Sequence, residues 1–279
     1  MQTLIIGATG NIGSEIIKQL AVRGLYPRIA TRDLAKAKAQ FTGNADLVEF
    51  DFNRTETFAA ALKDIQKVFF IAPQDNPADS VEQFLKTAQD SDIQHVVFSS
   101  GRTTATIKGK PLYQIEQLVK NSELPYTIIR PGWFMQNFTS WIGEESIKAA
   151  GKFYLPAGDS QTAFIDVRDI AAVVVRCLLE DKHAGKVYEL TSDEALSHDE
   201  VAQKIALHLH QPVQYIPLSD EDYIDKKVSE GWSIAAAKHV VMLYRIVRET
   251  GKEAIVSRDV EKVLQRLPIS FDEFVEAYW

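Results

Sequence analysis

The sequence predicts an α/β fold: a doubly wound parallel sheet followed by a smaller, mostly helical C-terminal domain. Three observations carry this. Short apolar runs alternate with segments of helical period through the first half of the chain. The first of them, Thr3-Leu4-Ile5-Ile6, runs straight into a glycine-spaced turn and an amphipathic helix. Beyond Pro131 the alternation loosens into scattered glycines, prolines and aromatics before a helical tail.

Taken in order, strands are expected near residues 4–6, 28–31, 47–50, 68–71, 95–99 and 126–129, each an apolar run without the polar alternation of a half-solvated strand. Helices are expected between them near residues 12–23, 34–41, 55–63, 78–90 and 112–121. In the first of these Ile12, Ile16, Ile17 and Leu20 share one face, and Gly24 follows where a left-handed residue would end it. This βαβ repetition is the pattern of a Rossmann-type sheet. A helix near 167–179 and a strand near 187–191 are expected to return to that sheet. Residues 1–150 then form the nucleotide-binding domain, completed by elements within 160–192, and residues 193–279 form the smaller substrate-type domain. There Ser197-His198-Asp199-Glu200 has the Ser-x-x-Glu spacing of a capping box, and Val201, Ile205 and Leu209 follow at helical spacing.

Composition excludes several functions. With 46% hydrophobic and 25% charged residues the chain can build a substantial core and is not disordered. No apolar run approaches the roughly 20 residues of a membrane span, and no leader pattern opens the sequence, so no membrane association is expected. The net charge of −7, without a basic stripe, disfavours nucleic-acid partners. Cys177 is the one cysteine and lies in an apolar run; it can form no intrachain disulfide, which fits a reducing, cytoplasmic setting and a structural thiol. The six histidines show no ligand spacing with carboxylates or cysteine, so no metal is implied.

The chemistry concentrates in Gly7-Ala8-Thr9-Gly10-Asn11-Ile12-Gly13, placed between the first strand and the first helix. Such glycines serve separate ends: a tight turn, approach of backbone to a pyrophosphate, and close packing of helix on strand. The free N–H groups and positive dipole end of the helix then face the phosphates. A dinucleotide is the expected ligand. At the end of the second strand, where an NAD-binding chain carries a carboxylate for the ribose hydroxyl, the sequence reads Ala30-Thr31-Arg32. A guanidinium there can fork onto a 2′-phosphate and stack on adenine, so NADP(H) is expected in preference to NAD(H). Asp33 comes too late for the ribose and is placed to cap the next helix.

The segment Tyr126-Thr127-Ile128-Ile129-Arg130-Pro131-Gly132-Trp133-Phe134-Met135-Gln136-Asn137, together with the opening loop, resembles the NmrA-like group of atypical short-chain dehydrogenases. Phe164-Ile165-Asp166-Val167-Arg168-Asp169-Ile170-Ala171 and Tyr188-Glu189-Leu190-Thr191-Ser192 agree, so the likeness spans essentially the whole chain. The resemblance implies that Gly7, Thr9, Gly10, Asn11 and Ile12 line the pyrophosphate and that Arg32 and Lys36 lie near the adenosine phosphate. It further implies Asp51 and Phe52 at the adenine, Ala72 and Pro73 under the nicotinamide ribose, Ser99 and Ser100 after the fifth strand, and Pro131 and Gly132 beside the nicotinamide. Trp133, Phe134 and Asn137 would face the acceptor.

One departure from the wider superfamily bears on mechanism. Its reductases use Tyr-x-x-x-Lys as the acid for carbonyl reduction, whereas the aligned segment here is Tyr113-Gln114-Ile115-Glu116-Gln117, leaving Tyr113 as a pocket residue. A ketone reduced by hydride yields an alkoxide that needs a positioned acid; a quinone or dye cation does not. The resemblance extends to NADPH quinone oxidoreductases and triphenylmethane-dye reductases, which share this lack. Trp133, Phe134, Phe138, Trp141, Phe153 and Tyr154 form an aromatic set suited to a flat apolar acceptor. Two functions are therefore expected as alternatives: hydride transfer to a quinone-like small molecule, or a non-catalytic NADP(H) sensor that contacts a regulatory protein.

Overall fold

The computed structural model describes residues 2–41, 45–73 and 77–279. In chain order, the first half carries β1 (Thr3–Ile6), α1 (Asn11–Ala21), β2 (Arg28–Thr31), α2 (Leu34–Gln40), β3 (Leu47–Glu49), α3 (Phe58–Leu62), β4 (Lys67–Ile71), α4 (Pro77–Gln89), β5 (His95–Ser99), α5 (Pro111–Asn121) and β6 (Tyr126–Pro131). There follow α6 (Glu144–Ala150), β7 (Lys152–Leu155), β8 (Gln161–Thr162), α7 (Val167–Leu179), β9 (Lys186–Leu190), β10 (Leu196–Ser197) and α8 (His198–Leu209). The tail adds β11 (Gln214–Pro217), α9 (Asp220–Ser229), α10 (Ile234–Thr250), α11 (Asp259–Leu264) and α12 (Phe271–Tyr278). Among the described residues no helix is long and apolar enough to cross a membrane.

Two compact units emerge. Unit 1 comprises Met1–Pro131, Val167–Leu190 and Asp259–Arg266; unit 2 comprises Gly132–Asp166, Thr191–Arg258 and Leu267–Trp279.

Unit 1 holds a seven-stranded sheet in the order β3-β2-β1-β4-β5-β6-β9, with every neighbouring pair parallel. The order turns back between β1 and β4, the switch point at which such sheets bind ligands beyond their carboxyl ends. Its central strands β1, β4 and β5 and most of β6 are buried, as uninterrupted apolar sequence requires, whereas the edge strands β3 and β9 are mostly half-buried. A phenylalanine core fills one side: Phe70 stacks on Phe98 at 4.7 Å, Phe50 on Phe58 at 5.3 Å, and Phe84 meets Phe50, Phe52, Phe58 and Phe70 mostly edge-on. Each such ring removed from water contributes about 1.5–3 kcal/mol.

His95 and Thr127, buried polar residues of this unit, are partnered. Thr127 in β6 donates its hydroxyl to the carbonyl of His183 at 2.7 Å, so the 2.9 Å contact between its oxygen and His95 Nε2 requires the imidazole to donate. Burial, reinforced by Lys67, pushes His95 down to about 4, which keeps it neutral. Cys177 is fully buried on α7 and burial pushes its thiol up to about 12, the behaviour of a packing residue.

Unit 2 is assembled from three stretches of chain. β7 pairs in parallel with β11, and β8 pairs antiparallel with β10. Its core gathers Phe138, Phe153, Phe164, Phe271 and Phe274. Ser197 caps α8 by accepting from Glu200 N while Glu200 bonds back to Ser197 N, and Ser270 with Glu273 repeats this capping box at α12. His198 is enclosed by Phe138, Phe153, Phe164, Tyr215 and Tyr244, with neither ring nitrogen hydrogen-bonded among the described residues. Burial pushes its pKa down to about 4.

Candidate functional site

The carboxyl ends of the unit 1 strands bring most of the expected cofactor residues to one edge. Gly7 closes β1 at φ +90°, a conformation glycine adopts without penalty, and its carbonyl accepts from Gly10 N at 3.2 Å to make the tight turn. Thr9, Gly10 and Asn11 are exposed at the tip of this turn, while Ile12 packs inward. Among the described residues no side chain caps α1 at Gly10, so the first amides of the helix remain directed at the edge of the sheet. Gly13 explains the last glycine of the set. A Cβ there would lie 2.7 Å from Ala8 Cα and 2.8 Å from Gly7 C, and closer still to Gly7 O, so only hydrogen lets the helix sit this near the loop.

Arg32 follows β2 and is exposed; no hydrogen bond or ion pair to it occurs among the described residues. Asp33 instead caps α2, accepting from Lys36 N at 2.9 Å, which leaves the Lys36 side chain exposed on the first turn of that helix. After β3, the Asp51 carboxylate accepts from Asn53 N at 2.9 Å and stays half-buried. Phe52 is different. Its ring is 7% exposed and turned into the phenylalanine core. Ala72 and Pro73 follow β4, half-buried; Ser99 ends β5 and Ser100 succeeds it, both buried; Pro131 ends β6. Gly132 begins the first stretch of unit 2.

A charge network behind this edge was not singled out from the sequence. Glu116 on α5 is fully buried and receives Arg130 from β6 as a fork, Nε to Oε1 at 2.8 Å and Nη2 to Oε2 at 2.6 Å, with Lys120 at 3.4 Å. Burial disfavours the Glu116 carboxylate, but the hydrogen bonds and charge of Arg130, helped by Ser100 and Lys120, together hold the carboxyl below its usual range. Arg130 also lies 3.6 Å from Glu189 on β9, which in turn receives Arg102 Nε at 3.2 Å. The chain Glu116–Arg130–Glu189–Arg102 thereby ties α5, which carries half-buried Tyr113 and Gln117, to the carboxyl end of β6. Arginine and glutamate fourteen residues apart give no local periodicity by which to pair them.

In unit 2, Trp133 and Phe134 are half-buried and Phe134 pairs with Ile165 in an isolated parallel bridge. Asn137, also half-buried, lies in the single 3₁₀ turn Met135–Asn137. Trp133 lies 4.5 Å from the ring of Tyr244 and 6.4 Å from Trp141, which is 6.2 Å from Trp232. Phe138 and Phe153 instead fill the core, and Tyr154 lies under Lys226 Nζ at 4.4 Å. Trp232, between α9 and α10, and Tyr244 on α10 join the row, and no sequence pattern connects them to residue 133. A cavity of about 820 Å³ beside α9 and α10, in which Arg245 and Arg248 both grip Asp220, contains none of the expected site residues.

The chain is 30% identical to an NAD(P)H azoreductase of Xenophilus azovorans, over 99% of this chain and 97% of that one. Its structure is similar to that of a triphenylmethane reductase of Citrobacter sp. complexed with NADP(H), at a TM-score of 0.87, 21% identity and full coverage of both chains. It is likewise similar to an NADPH-dependent quinone oxidoreductase of Escherichia coli complexed with NADPH, at a TM-score of 0.87, 22% identity and 99% coverage of each. The NmrA-like family model matches residues 2–275, and to that family this chain belongs.

Proposed function

We propose that the chain is an NADP(H)-dependent oxidoreductase that passes hydride to a flat, apolar acceptor such as a quinone. The observation that carries the reading is the close seating of α1 on its glycine loop: an uncapped helix N-terminus, a left-handed Gly7 and a Gly13 that admits no Cβ. Gly7, Thr9, Gly10, Asn11 and Ile12 would cradle the pyrophosphate, and Arg32 with Lys36 the 2′-phosphate. When bound, the reduced nicotinamide supplies a hydride to the acceptor, and water supplies the second proton of a reduced quinone.

What the residues of this chain do is bind and orient. Gln117 stands one helical turn beyond Tyr113 where a lysine would be needed to assist a tyrosine acid. Hydride transfer to a quinone or dye cation forms a phenolate-like or neutral product, for which no strong protein acid is required. The half-buried tryptophans of unit 2 offer flat apolar faces for such an acceptor. The kinship to an azoreductase, and to structures of a dye reductase and a quinone oxidoreductase, supports the same acceptor class.

The test is to incubate the purified protein with NADPH or NADH and a panel of quinones, azo dyes and triphenylmethane dyes, following loss of nicotinamide absorbance. Turnover with at least one flat acceptor and NADPH preferred over NADH is expected. NADPH binding without turnover of any acceptor would instead favour the non-catalytic sensor, and absence of NADPH binding would overturn both.

A further inference from the structure

The cavity of about 820 Å³ beside α9 and α10 is lined wholly by residues of unit 2 and closed by the turn that follows β7. Its volume falls in the range of small-molecule sites. Its walls are aliphatic: Pro156, Leu218, Ile224, Val241 and Met242 border it, and no aromatic ring does so among the described residues. That separates it from the tryptophan row, whose flat faces suit a flat ligand. On α10 Lys238, Val241, Met242 and Arg245 recur at helical spacing, so an apolar step lies between two cations about 10 Å apart along the axis. Met242 is half-buried and unbranched, a side chain that adapts to whatever lies against it.

The two ends of this stripe differ. At one end Arg245 Nη2 and Arg248 Nη2 both donate to the Asp220 carboxylate, at 2.7 and 2.8 Å, and Arg248 also donates to the Pro156 carbonyl. Those guanidinium groups are spent on holding α10 against α9 and the β7 turn. At the other end Lys238 is exposed, and its ammonium forms no ion pair among the described residues. Across the lining Lys238, Arg245 and Arg248 stand against Asp220 and Glu221, an excess of one positive charge in a chain whose net charge is −7. An aliphatic trough with an uncommitted ammonium at one end complements a chain that carries one negative head.

We propose that this cavity binds an aliphatic carboxylate, a free fatty-acid-like chain lying along Val241 and Met242 with its head group at Lys238. None of its residues belongs to the expected cofactor or acceptor sets, so the site stands whether or not the chain turns over a quinone. Affinity comes from the chain, since each methylene withdrawn from water adds roughly fourfold. The head group decides between ligands of equal length.

The experiment is calorimetric titration of the full chain, at fixed pH and ionic strength, with octanoate and decanoate below their micelle concentrations. Octanol, octyltrimethylammonium and acetate serve as the probes that lack the charge, invert it or lack the chain. Saturable binding is expected, with decanoate about tenfold tighter than octanoate for its two further methylenes. Octanol should bind at least threefold more weakly than octanoate, the octyl cation more weakly still, and acetate not at all. Lys238→Gln should bring octanoate down to the affinity of octanol. Met242→Trp, or Ile224→Phe from α9, should fill the trough and weaken both acids at least tenfold, with the circular dichroism spectrum unchanged. Lys63→Gln removes the same charge from an exposed position of unit 1 and should change nothing. Equal affinity for octanoate and the octyl cation, binding that survives the filling variants, or an equal loss in Lys63→Gln would overturn the proposal. So would binding to phosphatidylglycerol vesicles without binding of the free acids, or the absence of any saturable heat.

Discussion

Replacing Gly13 by alanine sets two effects of opposite sign against each other. Helix propensity alone makes alanine better than glycine by about 1 kcal/mol inside a helix. Against it stands the contact with the loop. The new Cβ would begin 2.7 Å from Ala8 Cα, whereas carbon atoms rest at about 3.5 Å or more, so loop or helix must yield by roughly 0.8 Å. Both partners are backbone, so no rotamer change can relieve the overlap, and overpacking of this kind costs typically 1–3 kcal/mol. The steric effect equals or exceeds the propensity gain, for a net loss of up to about 2 kcal/mol. The same displacement moves Gly7 O, which accepts from Gly10 N at 3.2 Å, and with it the amides offered to the pyrophosphate. Losing one charge-assisted contact of about 1.5–3 kcal/mol weakens NADPH by roughly 10- to 100-fold. Urea unfolding followed by circular dichroism measures the first quantity and NADPH titration by fluorescence the second. A Gly13→Ala protein stabilised by about 1 kcal/mol, with unaltered NADPH affinity, would show that α1 does not sit on the loop as described.

Arg32→Ala should weaken NADPH by about 1.5–3 kcal/mol and leave NADH nearly unchanged, because Arg32 is exposed at the end of β2 and would meet only the 2′-phosphate; equal loss for both cofactors in parallel titrations would refute this. Tyr113→Phe should keep quinone reduction within a small factor of the parent rate, and a fall of about 100-fold or more, the scale of a lost general acid, would contradict a reaction that needs none. Acid should destabilise the fold through its buried histidines. In the unfolded chain an imidazole titrates near 6.5, in the fold His198 titrates at about 4, so its contribution is complete above pH 6.5 and is lost as pH falls toward 4, by on the order of 3 kcal/mol. His198→Leu should therefore flatten the stability-versus-pH curve across that window in denaturant titrations; an unchanged slope would refute the assignment.

How far the sequence discloses this molecule depends on the range of the interactions involved. β2, β5 and α7 lie where the apolar runs and the helical period put them, because burial on both faces of a parallel strand or along one stripe of a helix leaves a local signature. Asp33 and Ser197 cap their helices as the spacing predicts, a matter of three residues. The glycine loop is equally local. Unit 2 is another matter: β7 finds β11 sixty residues along the chain, and β8 and β10 are two residues each, too short to show alternation. The row of Trp133, Trp141 and Trp232 and the Glu116–Arg130 fork likewise join distant residues whose individual positions carry no mark of the partner. Phe52 illustrates the remaining ambiguity, since a ring after β3 satisfies either an adenine edge or a core, and here it is packed in the core.

The course of the chain between the two units has a consequence for how such a protein can be altered or inherited. It passes from one to the other after Pro131, Asp166, Leu190, Arg258 and Arg266. Truncation at Pro131 would strip the sheet of its β9 edge and remove α7, which packs along α1. Neither unit is therefore a cassette that a single cut could release or a single crossover could exchange. The counterpart of unit 2 from a relative could be grafted here only by exchanging three separate stretches together. New specificity in this lineage is thus expected to arise by substitution within the interleaved segments, not by shuffling of whole modules.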